Sequence, residues 1–284
     1  MGNPEYTAFK AALEFYQDNG VDIAVGNEAI DRTSFIEVPS PEKAEFVKEE
    51  APSTFQAAQE QTSAPLLGKT DSHAKALELA KEANNIDELK QAVADFEGIS
   101  LKKTATNLVF CDGNPKADVM LIGEAPGADE DRAGKPFVGV SGQLLDKILA
   151  CINLDRQSED PKEAVYISNI INWRPPGNRT PSPAEIEVSL PFIERHIQFV
   201  QPKLIILCGG VSAKSLLGSS DSISRLRKTW HDYTPQNAEL SSDRKPIPAI
   251  ATYHPAYLLR TPAQKKAVWH DMLAIQQKLK EIRA

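Results

Sequence analysis

Cysteine is scarce in this chain of 284 residues, which has three: Cys111, Cys151 and Cys208. They are far apart, odd in number and form no CxxC pair, a usage that suits reduced thiols in a reducing compartment. Neither a disulfide nor a cysteine metal cage is expected. Long apolar runs are missing too: no stretch approaches the roughly 20 residues a membrane span requires. The opening MGNPEYTAFK lacks the basic-then-apolar layout of a secretory signal. A cytoplasmic protein with no membrane partner is the expectation. An excess of positive charge is also lacking, since the net charge is −7. As an average, that figure argues against a nucleic-acid partner, but it conceals two regions of opposite sign. Residues 1–95 hold 18 acidic and 8 basic side chains, a balance of −10, whereas the remainder holds 21 and 24, a balance of +3.

With 41% hydrophobic and 25% charged residues, the chain can supply one good core plus an appendage, or two small domains. Residues 1–32 read as an N-terminal helical segment. In it Phe9, Leu13 and Tyr16 recur at helical steps over 6–19, and Gly20 stands where a C-cap glycine would. Residues 33–72, rich in Pro, Ser, Glu, Gln and Ala, read as a disordered linker, because such a composition buries too little apolar surface to offset ordering entropy. Residues 73–284 form the main domain. Its lead-in, 73–95, predicts two helices broken near Asn84 and Asn85, with Asp87 placed to cap the second.

After Phe96 short apolar runs at 119–122, 165–167, 204–207 and 247–252 alternate with helical patterns at 141–151, 183–198, 212–217 and 262–282. This alternation predicts an α/β domain, a three-layer αβα arrangement around a central four-stranded, mainly parallel sheet, preceded by a helical and partly disordered extension. Each run is followed by a polar or Gly/Pro-rich segment: GEAPG, SNIINWRPPGNRTP, CGGVSA and YHPAYLLR. Ligands of open parallel sheets bind beyond the carboxyl ends of the strands, so these four loops are expected to converge on one crevice.

The first loop, GEAPGADEDRAGKPFVG (123–139), places Gly123 and Gly127 where backbone can approach a ligand and gathers Glu124, Asp129, Glu130 and Asp131. Taken alone it reads as a capped turn with a solvated acidic face. Taken in order with YISNIINWRPPGNR and YHPAYLLR, it closely resembles family 4 of the uracil-DNA glycosylase superfamily, over a span from about Phe96 to near the C-terminus. Residues 1–95 have no part in the resemblance.

The resemblance implies hydrolysis of the N-glycosidic bond of uracil in DNA, single- or double-stranded, leaving an abasic site in base excision repair. A base inside a duplex is out of reach, so the nucleotide must be flipped into a pocket. The substrate-binding positions implied are Gly123, Ala125, Phe137, Asn169 and His254. Asn169 matches the family's uracil-reading amide, Phe137 the ring on which the base stacks, and His254 the donor to uracil O2 as charge develops on the leaving base. Another superfamily branch orients the attacking water with an Asp, at the position held here by Ala125. That role therefore falls to Glu124, Glu130 or Asn178, and the sequence leaves the choice open. On the DNA side, Leu258 or Leu259 would enter the space vacated by the base and Arg260 would lie near phosphate. Arg174 and Arg179 are candidate phosphate grips, and CGGVSA offers an anion site at a helix start through Gly209, Gly210 and Ser212.

The family typically carries a four-iron cluster on four cysteines. By motif alignment these positions hold Phe96, Ile99, Trp173 and Ser189, none of which can ligate iron as thiolate. No iron–sulfur cluster, no other cofactor and no metal site are expected; a small hydrophobic plug is expected in the same space. The branch that crosslinks to uracil-DNA through a histidine is not matched, so turnover without a permanent adduct is expected. No lysine stands out as a Schiff-base nucleophile, which implies a monofunctional enzyme without a lyase step. A monomer is expected, with a protein partner possible through the acidic N-terminal region. Two other readings compete: a catalytically weak or inactive DNA-binding relative serving repair or replication, and a hydrolase of small nucleobase compounds. The latter would have no use for YLLR or the basic tilt of the domain.

Overall fold

The computed structural model describes residues 69–240 and 245–283. The expected helix over 6–19 and most of the linker over 33–72 lie outside them. The first helix, α1 (Lys69–Glu82), starts three residues before the expected end of the linker, and Ser72 within it is buried. Helix α2 (Ile86–Asp95) is capped by Asn85 rather than Asp87. Asn85 has the extended backbone a cap requires, and its side chain accepts the Glu88 N–H at 2.9 Å, whereas Asp87 already lies inside the first turn.

The remaining elements are β1 (Asp112–Gly113), β2 (Val119–Gly123), α3 (Ala128–Ala133), α4 (Val140–Ala150), β3 (Val165–Asn169), α5 (Pro183–Val200), β4 (Leu204–Cys208), α6 (Gly210–Leu217), α7 (Ile223–Leu226), β5 (Trp230–Tyr233), β6 (Ile247–Thr252), α8 (Pro255–Arg260) and α9 (Lys265–Arg283). The sheet runs β1-β3-β2-β4-β6-β5. Its four central strands are the four apolar runs, all parallel, with Val119 opposite Val165 and Leu204 in the register. Two edge strands that the sequence pattern misses, β1 and β5, pair antiparallel at either side and make six strands instead of four. Both are short, and β5 is largely exposed, so neither carries an apolar run.

Central strands buried along their whole length feed two layers by alternation. Met120, Ile122, Tyr166, Ile205 and Leu207 pack toward α5, against which α1 and α2 also dock through Ala76, Ala80, Leu89 and Val93. Val119, Leu121, Val165, Ile167 and Ile206 pack toward Leu145 and Leu149 of α4 and Met272, Ile275 and Leu279 of α9. Helices on both faces of a parallel core make a three-layer αβα domain. No helix among the described residues is long and apolar enough to cross a membrane.

The positions aligned with cluster cysteines fall in the α5-side layer. Phe96, Ile99 and Trp173 are buried in one apolar cluster, with Phe96 edge-on to Phe192 at 5.3 Å between ring centroids. Ser189, also buried, donates its hydroxyl to the Glu185 carbonyl at 2.8 Å. These side chains supply no thiolate, so the residues present do not fit an iron–sulfur cluster. The three cysteines are free, and no group of three or more His, Cys, Asp or Glu among the described residues is arranged to hold a metal ion.

Candidate functional site

Strand β2 ends at Gly123, where backbone and side chains crowd together. A Cβ built there would lie 2.4 Å from Asn169 Oδ1 and 2.6 Å from the Phe137 ring, so any larger residue would push apart the two groups that meet over it. Around this point opens a cavity of about 430 Å³ whose lining includes Glu124, Ala125, Phe137, Asn169, Asn178 and His254. Three of the four expected loops thus converge, those after β2, β3 and β6.

Asn169, the last residue of β3, is 2% exposed, and its Oδ1 has no hydrogen-bond partner among the described residues. A buried acceptor left unpaired costs about 1–3 kcal/mol, a penalty that a ligand N–H would remove. Phe137 is buried and adopts φ +54°, the left-handed region that costs a side-chain-bearing residue about 1–2 kcal/mol. Its ring stacks on His254, with 5.3 Å between centroids and 27° between planes.

His254 caps α8. Its Nδ1 accepts the Ala256 N–H at 3.2 Å, so in the neutral ring the proton sits on Nε2. Burial, helped by the positive Arg260, pulls its pKa down to about 4, which keeps the ring neutral near pH 7. A neutral Nε2–H donor is therefore available at the cavity. Behind it stands Gly209, at φ +100°, where a Cβ would lie 3.3 Å from the His254 Cβ.

The three candidates for the water-positioning role separate by their partners. Glu130 is consumed by backbone: Oε1 accepts from Val138 N at 3.0 Å and Gly139 N at 2.9 Å, and Oε2 from Gly127 N at 3.1 Å. Asn178 is exposed, and its Oδ1 accepts the Arg174 Nε–H at 2.8 Å. The Glu124 carboxylate takes no hydrogen bond or ion pair among the described residues, and burial raises its pKa from the ordinary glutamate value. The acidic run is therefore only in part a solvated face: Asp129 is exposed and Glu124 half-buried. Glu130 and Asp131 are buried, and Asp131 pins the preceding loop by accepting from Thr106 N and Asn107 N at 2.8 and 3.0 Å.

Several expected DNA-side residues are placed otherwise. Leu258 is 0% exposed and belongs to the core, whereas Leu259, 43% exposed, is free to project. Successive helical positions point about 100° apart, so one of two adjacent leucines faces inward. The CGGVSA loop does not line the cavity. Gly209 and Ser212 are buried, Gly210 is half-buried, and the Ser212 hydroxyl donates to the Gly209 carbonyl at 3.2 Å, so this helix start stands apart from the cavity. Arg179 lines the cavity but is held by Glu185 through bonds of 2.9 and 2.7 Å. That pairing also draws the Glu185 pKa down to about 2. Arg260 is exposed at the cavity rim. Sequence reasoning missed Tyr257 and Thr180, which also line the cavity, although Tyr257 stood inside HPAYLLR and Thr180 inside SNIINWRPPGNRTP.

Comparison with known proteins places the chain in a family. Residues 110–273 match the family model described as "Uracil DNA glycosylase superfamily". The chain is 34% identical over 195 residues to the type-4 uracil-DNA glycosylase of Archaeoglobus fulgidus, covering 67% of this chain and 92% of that protein. It is 34% identical over 188 residues to the type-4 enzyme of Pyrobaculum aerophilum, covering 66% and 91%. To that of Thermotoga maritima it is 36% identical over 156 residues, covering 55% and 73%.

Proposed function

Because the chain belongs to the uracil-DNA glycosylase superfamily, we propose that it excises uracil from DNA by hydrolysing the N-glycosidic bond, leaving an abasic site for base excision repair. The observation that carries this reading is the buried, unpartnered Oδ1 of Asn169 beside the Phe137 ring and the neutral His254. An extruded uracil would satisfy that oxygen with N3–H and take the amide N–H on O4. Cytosine presents the reverse pattern at both atoms and would leave buried groups unpaired. Stacking on Phe137 adds roughly 1–3 kcal/mol of base binding.

As the C1′–N1 bond breaks, its electron pair passes to the base, and the charge gathering on uracil O2 meets the Nε2–H of His254. Neutral imidazole suits this role: its Nδ1 is already committed to the Ala256 N–H, so the donor is fixed in tautomer and direction before the substrate arrives. Water adds to C1′ of the oxocarbenium-like sugar, and Glu124, the carboxylate without partners, orients it and accepts its proton. Leu259 fills the gap left in the stack, and Arg260, with the free edge of Arg174, lies toward phosphate. Among the described residues no lysine lines the cavity, and Lys135, inside the first motif, pairs with Asp112 at 3.2 Å, which supports a monofunctional hydrolase without a lyase step. The apolar side chains at Phe96, Ile99 and Trp173 support catalysis without an iron–sulfur cluster or other cofactor. The enzyme acts as a monomer on single- or double-stranded DNA, in the cytoplasm.

The test is to incubate the protein with uracil-containing oligonucleotides, single-stranded, U·A and U·G, and cleave abasic sites with alkali. Strand breaks at the uracil are expected. Intact strands on all three substrates would leave the DNA-binding, non-catalytic reading in place.

A further inference from the structure

We propose that Arg156 is a positioning residue for the ring of Phe137, acting through the two backbone carbonyls that its guanidinium holds. The inference rests on the reading of Phe137 as the platform for the extruded base. Phe137 sits in a left-handed backbone conformation that its own side chain disfavours, so something outside it must hold the peptide. The groups that do so approach from two sides. From one, Glu130 takes the N–H groups of Val138 and Gly139. From the other, Arg156 donates Nη1–H to the Pro136 carbonyl and Nη2–H to the Phe137 carbonyl, each at 2.9 Å.

Arg156 is itself fixed. Its side chain is 8% exposed, its Nε–H reaches Asp146 Oδ1 at 2.9 Å, and it pairs with Asp112 at 3.3 Å. Asp112 belongs to the edge strand β1 and Asp146 to α4, so one planar fork ties a strand, a helix and the loop after α4 to the two carbonyls. Only guanidinium offers several N–H groups in a rigid plane; a lysine ammonium carries the charge but not the fork. Helix α4 comes close enough to make this possible because of Gly142, where a Cβ would lie 1.9 Å from the Phe137 oxygen. Nothing at position 156 lines the base cavity, so Arg156 acts only through the segment it holds.

The experiment uses the full chain with Arg156→Gln and Arg156→Lys, each alone and in a Phe137→Ala background. Single-turnover excision is measured on a U·G duplex. In parallel, 4-fluorophenylalanine at position 137 reports the ring by fluorine NMR without reference to activity. Arg156→Gln is expected to slow excision about 10- to 100-fold, as misplacement of a positioned group by about 1 Å does. It should have no further effect once Phe137 is alanine, and it should broaden or split the fluorine resonance. Arg156→Lys should show the same pattern with a thermal midpoint near that of the parent, which keeps the test decisive if the glutamine variant does not fold. An unchanged rate, an equal loss in the Phe137→Ala background, or a lowered rate with an unaltered resonance would overturn the proposal. If the parent protein excises no uracil, the functional reading falls, while the fluorine signal still decides whether Arg156 fixes the ring.

Discussion

At two places in this domain, segments distant in sequence are tied together, and the means are opposite. Beneath the Phe137 loop the tie is polar: Glu130 and Arg156 between them hold five backbone groups, including those flanking a strained residue. Where α2, the segment after β3 and α5 meet, the tie is apolar: Phe96, Ile99, Trp173 and Phe192 exclude water and make few directed bonds. Directed bonds fix where a group points, which chemistry needs. Burial fixes only that segments stay together, which a scaffold needs. Damage to the first region should therefore appear in rate, and damage to the second in stability.

That contrast breaks if the effects cross over. The largest expected effect lies in the plug: Phe96→Ala should cost about 3–5 kcal/mol of unfolding free energy by denaturant titration, with the excision rate of the folded fraction nearly unchanged. Next comes His254→Ala, for which single-turnover excision should fall about 10²–10³-fold while the thermal midpoint holds. A matching loss of stability would mean that His254 is chiefly a helix cap.

Two smaller effects sharpen the comparison. In the proposed mechanism Glu124 is ionised to orient water, and burial raises its pKa, so the rate should decline as pH falls through a value above that of an exposed glutamate. In Glu124→Gln that acid limb should vanish from the pH profile of kcat/KM, and a limb that persists would assign it elsewhere. Trp173 carries a buried Nε1–H with no partner among the described residues. Removing the polar group while keeping an aromatic ring in Trp173→Phe should therefore leave stability within about 1 kcal/mol of the parent, the lost volume being offset by the lost desolvation penalty. A loss as large as that of Phe96→Ala would show that the indole, not burial in general, closes the plug.

Much of the candidate site was legible because the resemblance rests on motifs in the loops that follow the strands, where motif order and topology coincide. Through that resemblance Asn169, Phe137 and His254 could be named before any geometry; the parallel core was readable directly from its four apolar runs. Glu130 could not be told from Glu124 in sequence, since both are acids in one loop; only the backbone N–H groups facing Glu130 separate them. Leu258 and Leu259 were equally indistinguishable until the helix was oriented on the core. Arg156 gave no signal at all, because DRQSEDPKEA reads as an ordinary polar loop.

The sequence by itself determined the α/β class, the order of the site loops and the absence of thiols where an iron cluster would need them, because these depend on residue type and periodicity along the chain. The tertiary structure alone decided which carboxylate is free, which leucine faces outward and which tautomer His254 adopts. Those depend on partners brought from elsewhere in the chain, and a hydrogen bond or a buried face is a property of the pair rather than of either residue.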